Sequence, residues 1–409
     1  MAIPANDHAS TVLARCDELA AFTEEPGRLT RRFATPALRA AGDAVAGWMR
    51  DAGLTVRRDE IGNVIGRREG GPKTLLLGSH LDSVVDAGRY DGVLGVLVAI
   101  AALERVGERP YAVEVYGFAD EEGVRYGTGY LASGAVAGAP VPLERRDADG
   151  VRLGDALREF GGDPDGLGGA QRDPADLLGY VEVHIEQGPV LEAIGAPLGV
   201  VTGIAGQTRA QVTFEGQAGH AGTVPMDMRQ DALAGAAEWV SAVEATARET
   251  PGLVATVGEL TVEPGAGNVI PGRVVASLDV RQDPAPTVEA LRRSAIAIAD
   301  ARGLGLAWEV RQETPAIACD PTLTDLLAEA AGGDLPRVST GEPPVLEVPR
   351  LTSGAGHDAA MMARLAPVAM LFVRCAGGIS HHPAESVTPE DVAAAIDATT
   401  RFLELLGRE

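Results

Sequence analysis

Seven histidines stand in the 409-residue chain, at 8, 80, 184, 220, 357, 381 and 382. All but His8 lie beside turn glycines, carboxylates or the end of an apolar run. In Leu75-Leu-Leu-Gly-Ser-His-Leu-Asp82 an apolar strand runs into His80. An imidazole there can face a metal ion, and a carboxylate two residues on, Asp82, lies on the same side of an extended chain and can orient the ring. Asp91, in the turn Arg89-Tyr-Asp-Gly92, can bridge two cations. Another apolar run ends in Asp120-Glu-Glu-Gly123, where neighbouring carboxylates point in different directions, so that one can bind metal while the other moves protons. His184 closes Val181-Glu-Val-His184, and Gly378-Ile-Ser-His381-His382-Pro-Ala-Glu385 supplies a third imidazole. A set of His, Asp, Glu, His and His suits two zinc-class cations that share a carboxylate. Taken singly, each piece has a plainer reading: a hydrogen-bonded histidine, a solvated acidic turn, an Asp-Gly turn dipeptide. Their common placement at the ends of separate strands favours the metal site.

Such a site needs a scaffold that brings distant strand ends together. To about residue 205 the chain mixes helical and strand periods. Asp43 to Asp51 reads as a helix end stopped by Gly53, and Thr74 to Leu77, Val113 to Ala119 and Val181 to Ile185 read as strands. Gly92 to Arg105 is apolar nearly all round, as expected of a helix packed closely on a sheet. Ala139 to Pro174, rich in Gly, Asp, Pro and Arg, is expected to be an irregular surface excursion. The pattern then changes to strand Arg209–Phe214, helix Asp227–Glu249, strands Leu253–Val262 and Arg273–Val280, helix Thr287–Ala301 and strand Gly305–Arg311. That βαββαβ order predicts an open antiparallel, ferredoxin-like sheet with two helices on one face. Helices are expected again at Pro321–Ala331, Ala355–Leu365 and Pro389–Leu406, with a buried strand at Val368–Val373.

Composition narrows the function. With 45% hydrophobic and 23% charged residues the chain is an ordinary globular one. Its 35 Lys+Arg against 58 Asp+Glu give −23, which argues against a nucleic-acid partner. Cys16, Cys319 and Cys375 are scattered, with no CxxC, as in a reducing compartment. The start MAIPANDHAS has neither a basic nor an apolar segment, and the apolar run Val93 to Leu103 is too short to span a bilayer. A cytoplasmic protein without a membrane partner is expected. No G-x-S-x-G elbow, P-loop or strand-linked G-x-G-x-x-G is present, which disfavours serine-hydrolase and nucleotide chemistry.

Gly78-Ser-His-Leu-Asp82, Tyr90-Asp-Gly92, Asp120-Glu-Glu-Gly123, His184-Ile-Glu-Gln-Gly-Pro189, Gly219-His-Ala-Gly222, Asn268-Val-Ile-Pro271, Ser353-Gly-Ala-Gly-His-Asp358 and Gly378-Ile-Ser-His381 run in order along the chain. Together they resemble the dinuclear-zinc M20 peptidase clan. Within it they are similar to the hydantoinase/carbamoylase branch: N-carbamoyl-L-amino-acid hydrolases, allantoate amidohydrolases and zinc-type β-ureidopropionases. The resemblance implies an α/β, zinc-peptidase-like catalytic domain, a mixed sheet flanked by helices, over 1–207 and 322–409. A ferredoxin-like lid and dimerisation domain over 208–321 interrupts it. It implies Asp91 as the bridge, His80, His184, Glu122 and His381 as the other ligands of two divalent ions (zinc, or manganese or cobalt), and Glu121 as general base. His381 is taken over His382 because the family's ligand directly follows the Ser of this motif; His382 is a departure from the pattern. Substrate contacts would fall on Gln187, His220, Asn268 and Arg281, with the lid histidine reaching the active site of the other subunit of a homodimer.

This set of residues makes chemical sense. A ureido carbonyl is a poor electrophile, so its hydrolysis needs an activated water and polarisation of the carbonyl oxygen. Glu121 can take the water proton and return it to departing ammonia, His220 can serve a developing oxyanion, and Arg281 can hold a substrate carboxylate bidentately. That last contact explains how so acidic a chain would bind an anion. The plain alternatives are an ion pair of Arg281 with Asp279 or Asp283, turn hydrogen bonding for Asn268 and Gln187, and helix capping with a structural or pocket-wall role for His357-Asp358. The expected reaction is hydrolysis of a linear amide at the ureido group of an anionic substrate, releasing ammonia and carbon dioxide. Allantoate is placed slightly ahead of N-carbamoyl-L-amino acids. An aminoacylase or peptidase of the same clan, or a catalytically silent ligand-binding protein, are the competing readings.

Overall fold

The computed structural model describes residues 5–282, 284–332 and 348–407. The contacts of the chain separate into two units, Met1–Gly203 with Ala318–Glu409, and Ile204–Ile317.

In the first unit the strands read from the sequence lie at the centre of a mixed sheet. Four run parallel in the order Ala112–Phe118, Thr74–His80, Leu177–Ile185, Val368–Val373. Antiparallel strands flank them, Val64–Arg68 beside the first and Leu198–Ile204 beside the last. Every residue of Thr74–His80, Ala112–Phe118 and Val368–Val373 is buried, as both faces of a parallel sheet are covered. Helix Val93–Arg105 is buried on all sides from Val93 to Leu103, which accounts for its lack of a polar face. The chain leaves strand Thr74–His80 for the neighbour on one side and later returns to the neighbour on the other. A crevice at the carboxyl ends of such strands is where α/β sheets collect ligands.

Two local expectations need correction. The stretch from Ala139 to Pro174 is not wholly irregular: Leu153–Phe160 is an α-helix, five of whose eight residues are buried, closed by Gly161 with φ 94°. Its apolar face was hidden among the turn residues on either side. The helix expected over Ala355–Leu365 spans only Asp358–Met362, since Gly354 and Gly356 disfavour helix before it.

The second unit pairs antiparallel strands in the order Leu260–Glu263, Arg273–Gln282, Gly206–Glu215, Gly305–Thr314, with Val254–Thr256 also on Arg273–Gln282. Helices Ala232–Glu249 and Pro284–Arg302 share one core with the sheet, centred on Phe214, Trp239, Leu278 and Leu291. Trp239 is fully buried and donates its indole N–H to the Leu291 carbonyl at 3.2 Å. The strand expected over Leu253–Val262 is broken, because the Ser277 hydroxyl takes the backbone N–H groups of Gly258 and Glu259. The first helix begins not at Asp227 but after Asp231, whose side chain caps the N–H groups of Leu233 and Ala234. Among the described residues no helix is long and apolar enough to cross a membrane.

Candidate metal centre

Two of the four parallel strands carry cluster residues near their carboxyl ends, and loops that follow the strands supply the rest. His80 is the last residue of its strand, in register with Phe118, and His184 stands opposite Phe372 near the end of its own. Both imidazoles are 2% exposed. Each turns Nδ1 to a backbone carbonyl, His80 to Asp82 at 3.1 Å and His184 to Ile185 at 2.9 Å. These acceptors hold a proton on Nδ1 and leave Nε2 facing inward. The two Nε2 atoms are 3.5 Å apart.

Asp91 closes the arrangement. Its Oδ1 lies 3.1 Å from Nε2 of His184 and 3.7 Å from Nε2 of His80, and its Oδ2 lies 3.1 Å from Nε2 of His381. Glu122 Oε1 is 3.6 Å from the same His381 nitrogen. Two ligand groups result, His80–Asp91–His184 and Asp91–Glu122–His381, and Asp91 is the one residue they share. Oδ1 of Asp91 is buried, and its close imidazoles do not reach it with hydrogen-bond geometry. Inward-facing nitrogens around such an oxygen match the donor set of a divalent cation better than they match one another.

Electrostatics follow from this crowding. Burial alone would raise the Asp91 carboxyl, but His184, His381 and His80 hold it well below the usual carboxylate range. Burial opposes a charge on His80, yet Asp82 and Asp91 win and lift its pKa well above the ordinary value. Burial, then the Asp91 charge, pushes Glu122 up to about 7. Burial also raises Glu121 well above its usual range against the pull of His80, with Glu122, Asp358 and Asp82 adding to the rise. The acidic turn is therefore not a solvated one. Asp82, 1% exposed, accepts the backbone N–H of Glu121 at 3.0 Å and of Glu122 at 3.2 Å, so one carboxylate steadies both the His80 ring and the acidic turn. Glu121 groups with His80 and Glu122 but belongs to neither of the two sets that share Asp91.

Gly92, at φ 69°, shows why the turn ends in glycine: a Cβ there would sit 2.5 Å from Cγ and Nδ1 of His80. Gly92→Ala is expected to lower the stability of this unit by about 1–3 kcal/mol through overpacking. A lower urea midpoint at unchanged slope would register this, whereas the parental midpoint would show that ring and helix have room to part.

Gln187, at φ 57°, donates Nε2–H to Asp91 Oδ2 at 3.0 Å and to Ser380 Oγ at 3.2 Å, so it belongs to this cluster and not to an ordinary turn. His357 starts its helix without a capping hydrogen bond; its Nε2 instead meets the Ser353 hydroxyl at 2.7 Å, and burial, then His184, keeps it neutral. Glu182, His184 and His357 also come close enough to hold an ion. Glu182, however, is taken by the Ser79 hydroxyl and the Ala359 N–H, and His184 Nδ1 by its carbonyl, so that group reads as packing. His382 is exposed and accepts the Ala384 N–H on Nδ1.

In the second unit, His220 lies on a two-residue strand opposite Val269, with the Ala221 N–H bonded to the Asn268 carbonyl, so these two are neighbours. Arg281 lies on the long strand opposite Gln207 and pairs with Asp279 at 3.1 Å. Its other named alternative, Asp283, lies outside the described residues.

Sequence reasoning gave no role to Arg31. It is 1% exposed and donates to the carbonyls of Leu81 at 2.6 Å and Leu19 at 2.7 Å, anchoring the residues that follow His80. Burial pulls its pKa down to about 10 although Asp82 opposes the fall. Nothing in the pair Arg31-Arg32 distinguishes the buried member from its neighbour, which bonds Glu24 nearer the surface.

A mixed sheet whose parallel core and following loops bring histidines and carboxylates together around one shared aspartate defines a metal-hydrolase type of site. Residues 76–405 match peptidase family M20/M25/M40, and the chain belongs to that family. It is 46% identical to an allantoate deiminase of Arabidopsis thaliana, over 96% of this chain and 81% of that one. It is 42% identical to an N-carbamoyl-L-amino acid amidohydrolase of Geobacillus stearothermophilus, over 94% and 95%. A crystal structure from Burkholderia multivorans, an amidase of the hydantoinase/carbamoylase family, superposes with a TM-score of 0.87 at 35% identity and covers 98% of each chain.

Proposed function

We propose that this chain is a metal-dependent amidohydrolase that cleaves the terminal ureido group of a small anionic substrate, allantoate first and N-carbamoyl-L-amino acids second. The observation that carries the reading is the pair of ligand groups that share Asp91. The chemistry is R–NH–CO–NH2 plus water giving R–NH2, ammonia and carbon dioxide. Two divalent cations bound by His80, Asp91, His184, Glu122 and His381 would supply a water of lowered pKa and a polarised carbonyl. Zinc, manganese and cobalt all suit these nitrogen and oxygen donors.

Glu121 takes the proton of the attacking water and passes it to the departing ammonia. Gln187 orients the substrate beside Asp91, Arg281 exchanges Asp279 for the substrate carboxylate, and Asn268 and His220 complete the contacts, with His220 at the developing oxyanion. The unit Ile204–Ile317 acts as a lid and as the contact of a homodimer. Three unpaired, buried cysteines suit a reducing compartment, and the reading places the protein in the cytoplasm. The named relatives support both ureido substrates, and the higher identity to the deiminase supports allantoate.

The test is ammonia release by the metal-reconstituted protein across allantoate, several N-carbamoyl-L-amino acids and N-carbamoyl-β-alanine. N-acetyl-amino-acid and dipeptide controls are scored for free amine. Preference for allantoate is expected. Preference for a carbamoyl amino acid moves the protein within its branch, and turnover of the controls alone moves it to acylase or peptidase chemistry.

A further inference from the structure

We propose that Glu385 is a positioning residue for the metal centre, locking the turn that carries Asp91 to the loop that carries His381 and thereby setting the position formed by Asp91, Glu122 and His381. The inference rests on the ligand roles proposed above. Glu385 is 294 residues from Asp91 in sequence, yet it is 3% exposed and reaches both loops. Its Oε1 accepts the backbone N–H of Tyr90 at 2.8 Å and of Asp91 at 3.1 Å, and its Oε2 accepts the Ser380 hydroxyl at 3.0 Å.

Ser380 directly precedes His381 and has a single proton to give. Its other acceptor is Asp91 Oδ2, at 3.3 Å, so the shorter contact commits the proton to Glu385 and leaves Oδ2 facing His381 and Gln187. The turn before Asp91 is closed down on this carboxylate: a Cβ at Gly88 would fall 2.3 Å from the Glu385 carboxyl carbon and 2.4 Å from Oε1. His381 has φ 56°, a backbone conformation that residues with side chains hold only where their surroundings dictate it. The Glu385–Ser380 bond, one residue away, is such a constraint. A carboxylate is retained in this buried place, next to the charge of Asp91, because three donors from two loops need acceptors at one point.

The experiment titrates the full-length, metal-stripped protein with Zn2+ against a chelator. The parent protein, Glu385→Ala, Glu385→Gln and Gly88→Ala are compared, and thermal unfolding of each metal-free protein serves as the control for folding. The parent should bind two ions. Glu385→Ala should weaken one of them about 10- to 100-fold, the usual cost of losing a partner that orients a ligand, and leave the other within about threefold. Glu385→Gln keeps an acceptor for both backbone N–H groups but donates to Ser380 and so turns the Ser380 proton towards Asp91 Oδ2; it should fall between the parent and the alanine variant. Gly88→Ala displaces the carboxylate without removing a hydrogen-bonding group and should reproduce the loss; if Glu385→Ala does not fold, this variant and Glu385→Gln decide. Parental affinity at both positions in folded Glu385→Ala or Gly88→Ala overturns the proposal, as does a folded Glu385→Gln as weak as the alanine variant. A parent protein that binds no second ion overturns the ligand reading itself and the proposal with it.

Discussion

Glu121→Gln is expected to retain two metal ions per chain and to lose about 10^2- to 10^4-fold in kcat, the contribution of a well-placed general base. The amide has nearly the shape of the carboxylate, and the Glu121 backbone N–H stays on Asp82, so the acidic turn should not move. What disappears is a group able to take a proton. The separation of roles rests on grouping: Glu122 joins Asp91 and His381, whereas Glu121 joins only His80 and Glu122. Metal content and turnover measured on the same preparation decide the matter. If the variant loses an ion, Glu121 is a ligand and the assignments of Glu121 and Glu122 must be exchanged. If both ions and turnover persist, the base lies elsewhere. This variant also separates an enzyme from a binding protein, since a protein that merely holds a ligand has no use for the proton.

Asp91→Ala is expected to reduce the metal content below two ions per chain and kcat/KM by at least about 10^3-fold, because several kcal/mol of charge stabilisation depend on the ions it would hold. Its two oxygens face different histidines, Oδ1 towards His80 and His184, Oδ2 towards His381. Loss of the carboxylate would therefore take a ligand from both proposed positions at once and remove the negative charge that would offset two adjacent cations. Loss of a ligand belonging to one position alone, as in His184→Ala, should spare one ion more often. Retention of both ions by Asp91→Ala, measured by metal analysis after dialysis, would sink the shared-ligand arrangement. Asp91→Asn refines the comparison: it keeps an oxygen and the shape of the side chain but not the charge, so a variant as poor as alanine would show that charge is what the centre requires.

Much of the scaffold was legible because local signals agreed. The buried strand Val368–Val373 is a continuous apolar run, Leu75–Leu77 is the apolar core of another, the helix Val93–Arg105 lacks a polar face for the same reason, and Thr388 and Pro389 mark the start of helix Pro389–Leu406 at the expected residue. Where competing contacts intervened, the pattern misled. Ser277 breaks a strand from 19 residues away at Gly258, and the short helix Leu153–Phe160 is held by packing that its flanking turn residues conceal.

By itself the sequence determined which chemistry was available: His80, His184, Glu121 and Glu122 close or follow apolar runs, and Asp91 and His381 lie in glycine-containing turns, where side chains of those types can serve metal ions and protons. Only the tertiary structure decided how they are combined. Parallel pairing in register sets His80 beside His184, and hydrogen bonds across nearly 300 residues join Glu385 to Asp91. Burial, not residue type, separates Arg31 from Arg32, and the backbone N–H groups of Glu121 and Glu122 are fixed by Asp82, a contact that nothing in the string Asp120-Glu-Glu-Gly123 announces. The physical reason is that spacing along a chain dictates direction within one element, whereas hydrogen-bond partners and exclusion of water depend on which elements the core brings together.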